Sequence, residues 1–397
     1  MDFSAERTES LENGAKLLSF RAPHLNSVAF SIVLPFVPEG TPGVAHLVEH
    51  LFFERAGARR AKEINAEMTS RGSEIMGYTA VNYMCFNFSC RPEVFRPQLE
   101  LLFDMLSQRE YDDAEYERVL PVIRNEIFEA NFYDSRPADV LRELWFDSRY
   151  IEPILGSSAV LERTDREEID EMRERLFNRG MRLFLTGAFS EEDAAAVRES
   201  FGKMPLCTLE KTPAREEERE TREYNRIGRG RELQVLVTYH VEHADERLKM
   251  AALWLRNGLF DGLDAAFFRF FDEHGFQFYS VDGNYSVRGD ELVFSWLTYI
   301  KKEDRKRFEP LIDEFEEAAE HTDFCALVRP YLYDNLVFLA DSPERLCAHY
   351  VDAWSDLGEV LPLSEEAAFS GTFTNETLAK CWRKISLSLR RIFYIGK

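Results

Sequence analysis

Apolar and polar residues follow strand and helix periods in turn along the first half of the chain. Residues 73–90 (SEIMGYTAVNYMCFNFSC) alternate between the two classes, which predicts paired strands, and helices are predicted next at 92–109 and 113–132. A short apolar run, a glycine turn and a serine follow in MRLFLTGAFSEED (181–193), which predicts a strand and then the start of a helix.

The second half repeats this order. Residues 276–298 predict another strand pair, a helix follows at about 303–321, and LRRIFYIGK (389–397) predicts a closing strand. The repeat is one of pattern and not of residue identity. It predicts an α+β fold of two homologous domains, each with a mostly antiparallel sheet and helices packed on one face.

A charged segment separates the two halves. Residues 209–231 (LEKTPAREEERETREYNRIGRGR) contain one proline and two glycines and show no apolar period, which is typical of an exposed linker. We therefore predict a first domain at 1–208 and a second at 232–397. The chain has 397 residues, 45% of them hydrophobic, which is enough to give each domain a core.

The charge of the chain narrows the class of partner. A net charge of −22 argues against nucleic acid, because a surface that binds phosphates is basic. A cationic peptide suits this charge better, although an acidic surface also serves solubility alone.

Compartment is indicated by what the sequence lacks. It has no apolar run of about 18 residues, and its first residues lack the basic start and apolar stretch of a signal peptide, so we expect no membrane partner. Six scattered cysteines without a C-x-x-C pair are expected to be reduced thiols in a cytoplasmic protein. A disulfide or metal pair formed by Cys85 and Cys90 is the less favoured alternative.

Residues 41–57 (TPGVAHLVEHLFFERAG) predict a helix with unusual polar content. Thr41 is the expected N-cap, Pro42 fits the first helical position, and Gly57 suits the C-terminal cap. The apolar face of this helix would be made by Val44, Leu47, Leu51 and Phe52.

Within this helix, His46 and His50 are four residues apart and lie on one face, where both can reach one metal ion. Glu49 lies beside them. Zinc accepts nitrogen and oxygen ligands, and a catalytic zinc leaves one position for water, whose proton a nearby glutamate can take. The alternative is a pair of ordinary surface or core histidines, but the helical spacing favours the metal.

The motif and its surroundings resemble the pitrilysin-like zinc metallopeptidases, family M16, which carry the inverzincin signature H-x-x-E-H. GVAHLVEHLFF fits the family stretch G-x-A-H-x-x-E-H-x-x-F. The family's third ligand is a glutamate about 75 residues downstream in a V-I-x-x-E-I context. VIRNEIFEANFYDSRP (122–137) fits with Glu126, and the D-x-x-P that follows in the family is matched by Asp134 and Pro137.

The resemblance implies specific roles. His46, His50 and Glu126 would bind Zn²⁺, and Glu49 would activate the water that attacks a peptide carbonyl. Length and duplication are similar to the short two-domain subfamily (M16B), which includes the mitochondrial processing peptidases and bacterial paired peptidases. Members of that subfamily work as dimers, often with a zinc chain facing a non-zinc partner.

Two positions in the first half depart from the family pattern. The acid that usually steadies a ligand histidine is replaced by Val119, and Glu115 and Glu117 are the candidates to substitute for it. The family's substrate-binding edge strand has an Asn-Ala-x-Thr stretch. The equivalent residues here are Met76, Gly77, Tyr78 and Thr79. Backbone pairing with a peptide does not need the missing asparagine.

The largest departure lies in the second half. Active relatives place an arginine and a tyrosine seven residues apart to bind the substrate carbonyl and stabilise the oxyanion. Tyr279 is available here, but Asp272 stands seven residues before it, and Arg269 is ten before it. We therefore expect a degenerate oxyanion site, and Tyr279 also fits an ordinary strand tyrosine.

The function expected from these features is a zinc endopeptidase subunit that cleaves short or unfolded peptides, in precursor or leader-peptide processing or in peptide clearance. A second M16 subunit would supply the arginine and tyrosine, and a homodimer is the other arrangement. A non-catalytic structural subunit of a larger complex is the main alternative. A zinc hydrolase of another class is less favoured.

Overall fold

In the computed structural model, the chain is described at residues 5–132, 137, 140–141, 144–145, 153–161, 164–208 and 231–396. These residues form two compact units. The first is drawn from residues 1–134, 147–216 and 338–351, and the second from residues 135–146, 217–337 and 352–397. Asp134 and all of the proposed linker except Arg231 lie outside the described residues, so the linker stays a prediction.

The first half of the chain forms a six-stranded sheet and its helices. The strands are β1 (Glu6–Ser10), β2 (Lys16–Arg21), β3 (Val28–Pro35), β4 (Arg55–Ala56), β5 (Arg59–Arg60), β6 (Met76–Thr79), β7 (Tyr83–Cys90) and β8 (Arg182–Gly187). The helices are α1 (Val44–Phe52), α2 (Ala61–Arg71), α3 (Phe95–Ser107), α4 (Asp113–Phe132), α5 (Ser158–Leu161), α6 (Arg166–Leu176) and α7 (Glu191–Gly202).

The second half contributes four strands, β9 (Glu232–Val241), β10 (Asp282–Arg288), β11 (Glu291–Lys301) and β12 (Leu389–Gly396). Its helices are α8 (Glu246–Phe260), α9 (Ala266–Glu273), α10 (Arg305–Ala319), α11 (Phe324–Ala340), α12 (Pro343–Leu357), α13 (Leu363–Ser370) and α14 (Asn375–Ser386). The helices and strands predicted from the sequence periods are therefore confirmed, with shifts of a few residues at their ends.

Both sheets are mostly antiparallel, as predicted. The larger has the order β1-β2-β8-β3-β7-β6, and only its β2–β8 pair is parallel among the described strands. The smaller has the order β10-β11-β9-β12 and is antiparallel throughout. A small hairpin, β4–β5, directly follows α1.

The central strand of the larger sheet, β3, is buried along its whole length, because both faces of the sheet are covered there. On one face, Phe30 packs against Phe88 and against Phe201 of α7. On the other face, Phe184 of β8 packs against Tyr350 of α12, with ring centroids 5.7 Å apart. Burial on both faces explains why β3 is apolar except for Ser31, instead of alternating between apolar and polar residues.

An aromatic cluster fills the core under the smaller sheet. The ring of Phe267 lies 4.5 Å from that of Phe271, 5.4 Å from Trp296 and 5.6 Å from Phe315, measured between centroids. Aromatic rings at these separations contribute more than their buried area alone. The FFRFF run of α9 is therefore a packing element.

The ends of α1 differ from the prediction. The helix begins at Val44, with Gly43 as its N-cap at φ 92°, and it ends at Phe52, so neither Thr41 nor Gly57 caps it. A Cβ on Gly43 would lie 2.8 Å from the carbonyl oxygen of Leu155. Because only glycine tolerates both this φ and this close approach, the N-cap position requires glycine.

All six cysteines are free, and Cys85 and Cys90 are buried on β7. Among the described residues, every helix is too short or too polar to cross a lipid bilayer.

Candidate metal centre

Three side chains from α1 and α4 converge on one point. Nε2 of His46 and Nε2 of His50 are 3.3 Å apart, and Oε2 of Glu126 lies 3.2 Å from each of them. They form the one group of three or more potential metal ligands found within the described part of the chain. The three residues named from the sequence therefore meet in space.

The apolar sides of the two helices hold this group in place. In α1, Val44, Leu47 and Leu51 are buried in the core, so the helix presents His46, Glu49 and His50 at the edge of that core. The four-residue spacing of the two histidines brings their rings to a centroid distance of 4.7 Å.

In α4, Ile123 is buried and Ile127 packs against the same core. These contacts limit the rotation of α4, and Glu126, between them in sequence, is turned toward the histidines. The Glu126 side chain is partly exposed, yet its carboxylate contacts both histidines.

The spacing of the three atoms suits zinc. Ligands at 2.0–2.1 Å from a tetrahedral ion are separated by about 3.4 Å, close to the observed 3.2–3.3 Å. Burial, with a smaller contribution from the charge of His50, lowers the pKa of His46 from 6.5 to about 4. His46 is therefore neutral at pH 7, which is the form that binds metal.

The other ring nitrogen of His46, Nδ1, is buried and has no hydrogen-bond partner within the described residues. Metal-binding histidines usually donate from this second nitrogen to an acceptor. In the family pattern, an acid at the position of Val119 is the acceptor. Val119 is buried and has no polar side-chain atom. The residues present fit zinc, but without the usual support for His46.

Glu49 is buried beside the three ligands and held by one hydrogen bond. Oγ1 of Thr79 on β6 donates to its Oε2 at 2.7 Å. Burial raises the pKa of the Glu49 carboxyl, and the hydrogen bond from Thr79 partly opposes that rise. A buried carboxylate with a raised pKa next to a metal centre is suited to accept and release a proton.

Gly77, two residues before Thr79, leaves room for this carboxylate. A Cβ at position 77 would lie 3.2 Å from Oε1 of Glu49 and 2.9 Å from the ring of Phe53. Sequence reasoning identified residues 76–79 as a substrate strand but missed their contact with Glu49. A glycine inside a strand, which often marks a close approach of the backbone, was the available signal.

The strand β6 lies at the edge of its sheet and pairs with β7 alone among the described strands. Gly77 and Thr79 are half-buried on the side of Glu49, whereas Met76 and Tyr78 are exposed on the opposite side. Its second edge can accept another strand.

Neither candidate for the missing acid, Glu115 or Glu117, is placed to support a ligand histidine. Glu115 is fully buried, and its carboxylate accepts hydrogen bonds from Arg55 and Arg60 instead of from a histidine. Glu117 is exposed. The expectation that either residue replaces the acid at Val119 is therefore not supported by their positions.

The counterpart of the oxyanion site in the second half is open to solvent. Tyr279 is fully exposed in the irregular segment between α9 and β10, so it is not a strand tyrosine. Asp272 is exposed near the end of α9, and Arg269 is paired with Asp264 at 2.7 Å. Arg269 is thus engaged with Asp264.

Residues 38–157, which include all three candidate ligands and Glu49, match the model of the insulinase family, peptidase family M16. Over this segment the chain is similar to peptidase family M16. The chain is 26% identical over 177 residues to an uncharacterized zinc protease of Rickettsia bellii, a match that covers 42% of each chain. It is 26% identical over 211 residues to the mitochondrial-processing peptidase subunit beta of Saccharomyces cerevisiae, covering 50% of this chain and 45% of that one.

These matches span less than half of the length of either relative. Solved structures cover nearly all of the chain. A peptidase M16 inactive domain from Pseudomonas fluorescens has a TM-score of 0.79 at 15% identity and covers 98% of this chain and 97% of that one. A protease from Helicobacter pylori has a TM-score of 0.77 at 13% identity and covers 99% of both chains. At such identities the structures establish the fold alone.

Proposed function

We propose that this M16 chain is a zinc-dependent endopeptidase subunit. The observation that carries the proposal is the 3.2–3.3 Å triangle of His46, His50 and Glu126 with Glu49 beside it. Zinc bound there supplies a Lewis acid that polarises a peptide carbonyl and makes a water molecule more acidic.

The chain's own residues perform the proton transfers. Thr79 holds Oε2 of Glu49, which leaves Oε1 free to accept the proton of the attacking water. Glu49 then returns that proton to the leaving amine. Its burial favours this exchange, since the raised pKa of the carboxyl reduces the free-energy cost of holding the proton.

The substrates we propose are short or unfolded peptides. An extended peptide can add as a strand along the open edge of β6, where backbone hydrogen bonds bind it without requiring a particular sequence. Thr79 of the same strand touches Glu49, so a peptide bound there lies next to the proton acceptor. This suits precursor or leader-peptide processing and peptide clearance.

The oxyanion donors are proposed to come from a second M16 subunit. Asp272 stands where the family resemblance calls for an arginine, and an aspartate cannot stabilise a negative charge. The relative in yeast is itself named as a subunit, which agrees with a paired arrangement. We further propose that residues 1–208 form the zinc-bearing domain and residues 232–397 the second domain.

A non-catalytic subunit is the second candidate, and the aspartate at position 272 favours it. An experiment separates the two. Zinc content and peptide cleavage are measured for the purified chain, its Glu49→Gln variant and an exposed control, Glu93→Gln. Cleavage is measured with and without a second M16 subunit that carries the arginine and tyrosine. We expect zinc in all three and a loss of about a hundredfold or more in cleavage for Glu49→Gln alone. A wild-type chain without zinc, or a Glu49→Gln rate within about threefold of wild type, would exclude the endopeptidase.

A further inference from the structure

The hairpin after α1 is joined to the start of α4 by a cluster of ion pairs, which we call the arginine clamp: Arg55, Arg60, Asp112 and Glu115. Arg55 donates from Nε to Oε1 of Glu115 at 2.7 Å and from Nη2 to Oδ2 of Asp112 at 2.9 Å. Arg60 contacts both carboxylates as well. One guanidinium therefore holds two acidic residues at once.

Glu115 is the centre of the clamp. It is fully buried, and its second oxygen, Oε2, accepts from the backbone N–H of Asp112 at 2.7 Å. In return, Oδ1 of Asp112 accepts from the backbone N–H of Glu115 at 2.9 Å. Because both oxygens of a buried carboxylate are bound, its position is strongly determined, and removing a partner would leave an uncompensated charge.

The clamp and the candidate ligands share the same two segments. Glu126 follows Glu115 by 11 residues on α4, about three turns, so both lie on one face, about 16 Å apart along the axis. On the other segment, Arg55 follows His50 by five residues. His50 contacts Glu126 and Arg55 contacts Glu115, so the two segments run antiparallel. Together the two contacts fix the register of one segment against the other.

A small change in this register would disrupt the centre. Moving α4 by one residue shifts it by about 1.5 Å and turns its side chains by about 100°. Either change would carry Oε2 of Glu126 out of its 3.2 Å contact with both histidines. The core contacts of Ile123 and Ile127 limit the rotation of α4. Among the described residues, the carboxylate of Glu126 contacts only the two histidines.

We propose that Glu115 and Arg55 are positioning residues for the metal centre. By fixing the rotation and register of α4 against the segment that follows α1, they set the carboxylate of Glu126 opposite His46 and His50 before metal binds. This inference rests on the proposed zinc site, and it gives Glu115 a role different from that of an acid touching a ligand histidine.

The test measures zinc affinity separately from stability. Zinc dissociation constants are measured by chelator competition for the wild-type chain, Glu115→Gln and Asp193→Asn. Asp193 is the control because it is buried in the same unit and paired with Arg96 at 2.9 Å, far along the chain from the ligands. The thermal midpoint of each metal-free protein is measured in parallel.

Glu115→Gln is expected to weaken zinc binding about 10- to 100-fold, the range found for residues that support metal ligands. Asp193→Asn is expected to lower the midpoint without changing zinc affinity by more than about twofold, because it supports no ligand. Arg55→Lys keeps the charge but not the two-pronged contact, so it should give a smaller loss of affinity. If Glu115→Gln does not fold, Arg55→Lys alone tests the positioning role.

The outcomes separate this inference from the proposed function. A wild-type chain that binds no zinc overturns both. Wild-type zinc binding with unchanged affinity in Glu115→Gln and Arg55→Lys overturns the positioning role alone. Equal losses of affinity in Asp193→Asn and Glu115→Gln also overturn it, since the effect would then follow stability.

Discussion

Thr79 and Glu49 are 30 residues apart in the chain, yet Oγ1 of Thr79 lies 2.7 Å from Oε2 of Glu49 and donates a hydrogen bond to it. The bond joins the edge strand, where we propose that peptide binds, to the residue that we propose accepts the proton. It orients the carboxylate and occupies one of its two oxygens. In the function we propose, this one hydroxyl group would couple substrate position to proton transfer.

Replacing Thr79 with valine should lower peptide cleavage while zinc stays bound. Valine keeps the shape of threonine but cannot donate, and a lost hydrogen bond to a charged group is worth about 1.5–3 kcal/mol, or roughly 10- to 100-fold in rate. The measurement is kcat and KM of the zinc-loaded chain with its partner. Thr79→Ser, which keeps the hydroxyl, should retain most of kcat. A Thr79→Val enzyme with wild-type kcat would show that the bond has no part in the reaction.

Replacing His50 with alanine should empty the metal site. Two of three protein ligands are too few for a stable zinc site, so we expect close to one zinc per wild-type chain and almost none in His50→Ala, measured by elemental analysis after dialysis. His24→Ala is the matched control, because His24 is exposed and outside the candidate centre. Full zinc in the His50→Ala protein would disprove the ligand assignment.

The isolated chain should bind zinc yet cleave peptides slowly. Losing one oxyanion donor typically costs about 100- to 1000-fold in rate, and Asp272 provides none. Adding an M16 chain that carries arginine and tyrosine seven residues apart should raise the cleavage rate by about the same factor. Peptide turnover is measured for the chain alone and for each pairing. Turnover of many peptides per second by the chain alone, unchanged in Asp272→Ala, would show that a homodimer completes the site with another donor.

The sequence revealed the parts of the site that follow local periods. His46 and His50 share a helix face because of their spacing. Glu126 was identified through the resemblance of its surroundings to the family motif and not by a local period. The contacts that hold the site together were not predictable in this way. Arg55 and Glu115 are 60 residues apart, and no local pattern links their charges.

The ends of helices and strands were also not predictable from local patterns. Thr41 is a good N-cap by residue type, but the helix is capped by Gly43, where the carbonyl oxygen of Leu155 lies 2.8 Å from the place that a Cβ would take. Tyr279 lies outside β10, although its neighbours alternate like a strand. In both places a tertiary contact or an irregular connection overrides a local preference. Sequence periods carry no information on such features.

A buried carboxyl group in the second half provides a prediction on stability. Burial, together with the nearby negative charge of Asp352, raises the pKa of Asp356 from 3.8 to about 7. Tyr285 hydrogen-bonds to this carboxyl and lowers its pKa, and the charge of Lys249 acts in the same direction, but neither offsets burial. The folded chain therefore holds a proton at Asp356 that the unfolded chain releases at a lower pH.

Asp356→Asn should stabilise the protein at pH 8 but not at pH 4. Between about pH 4 and pH 7 the folded state binds more protons at this position than the unfolded state, so its contribution to the free energy of unfolding falls as the pH rises. Below this window both states are protonated, and the burial penalty is absent. Above it the penalty is complete, at most about 4 kcal/mol for a shift of this size. Denaturant unfolding at pH 4, 6 and 8 measures the difference between variant and wild type, and Asp282→Asn, an exposed change on the neighbouring strand, corrects for the lost charge. An Asp356→Asn gain that is equal at all three pH values would mean that the carboxyl is already charged in the folded chain at pH 4.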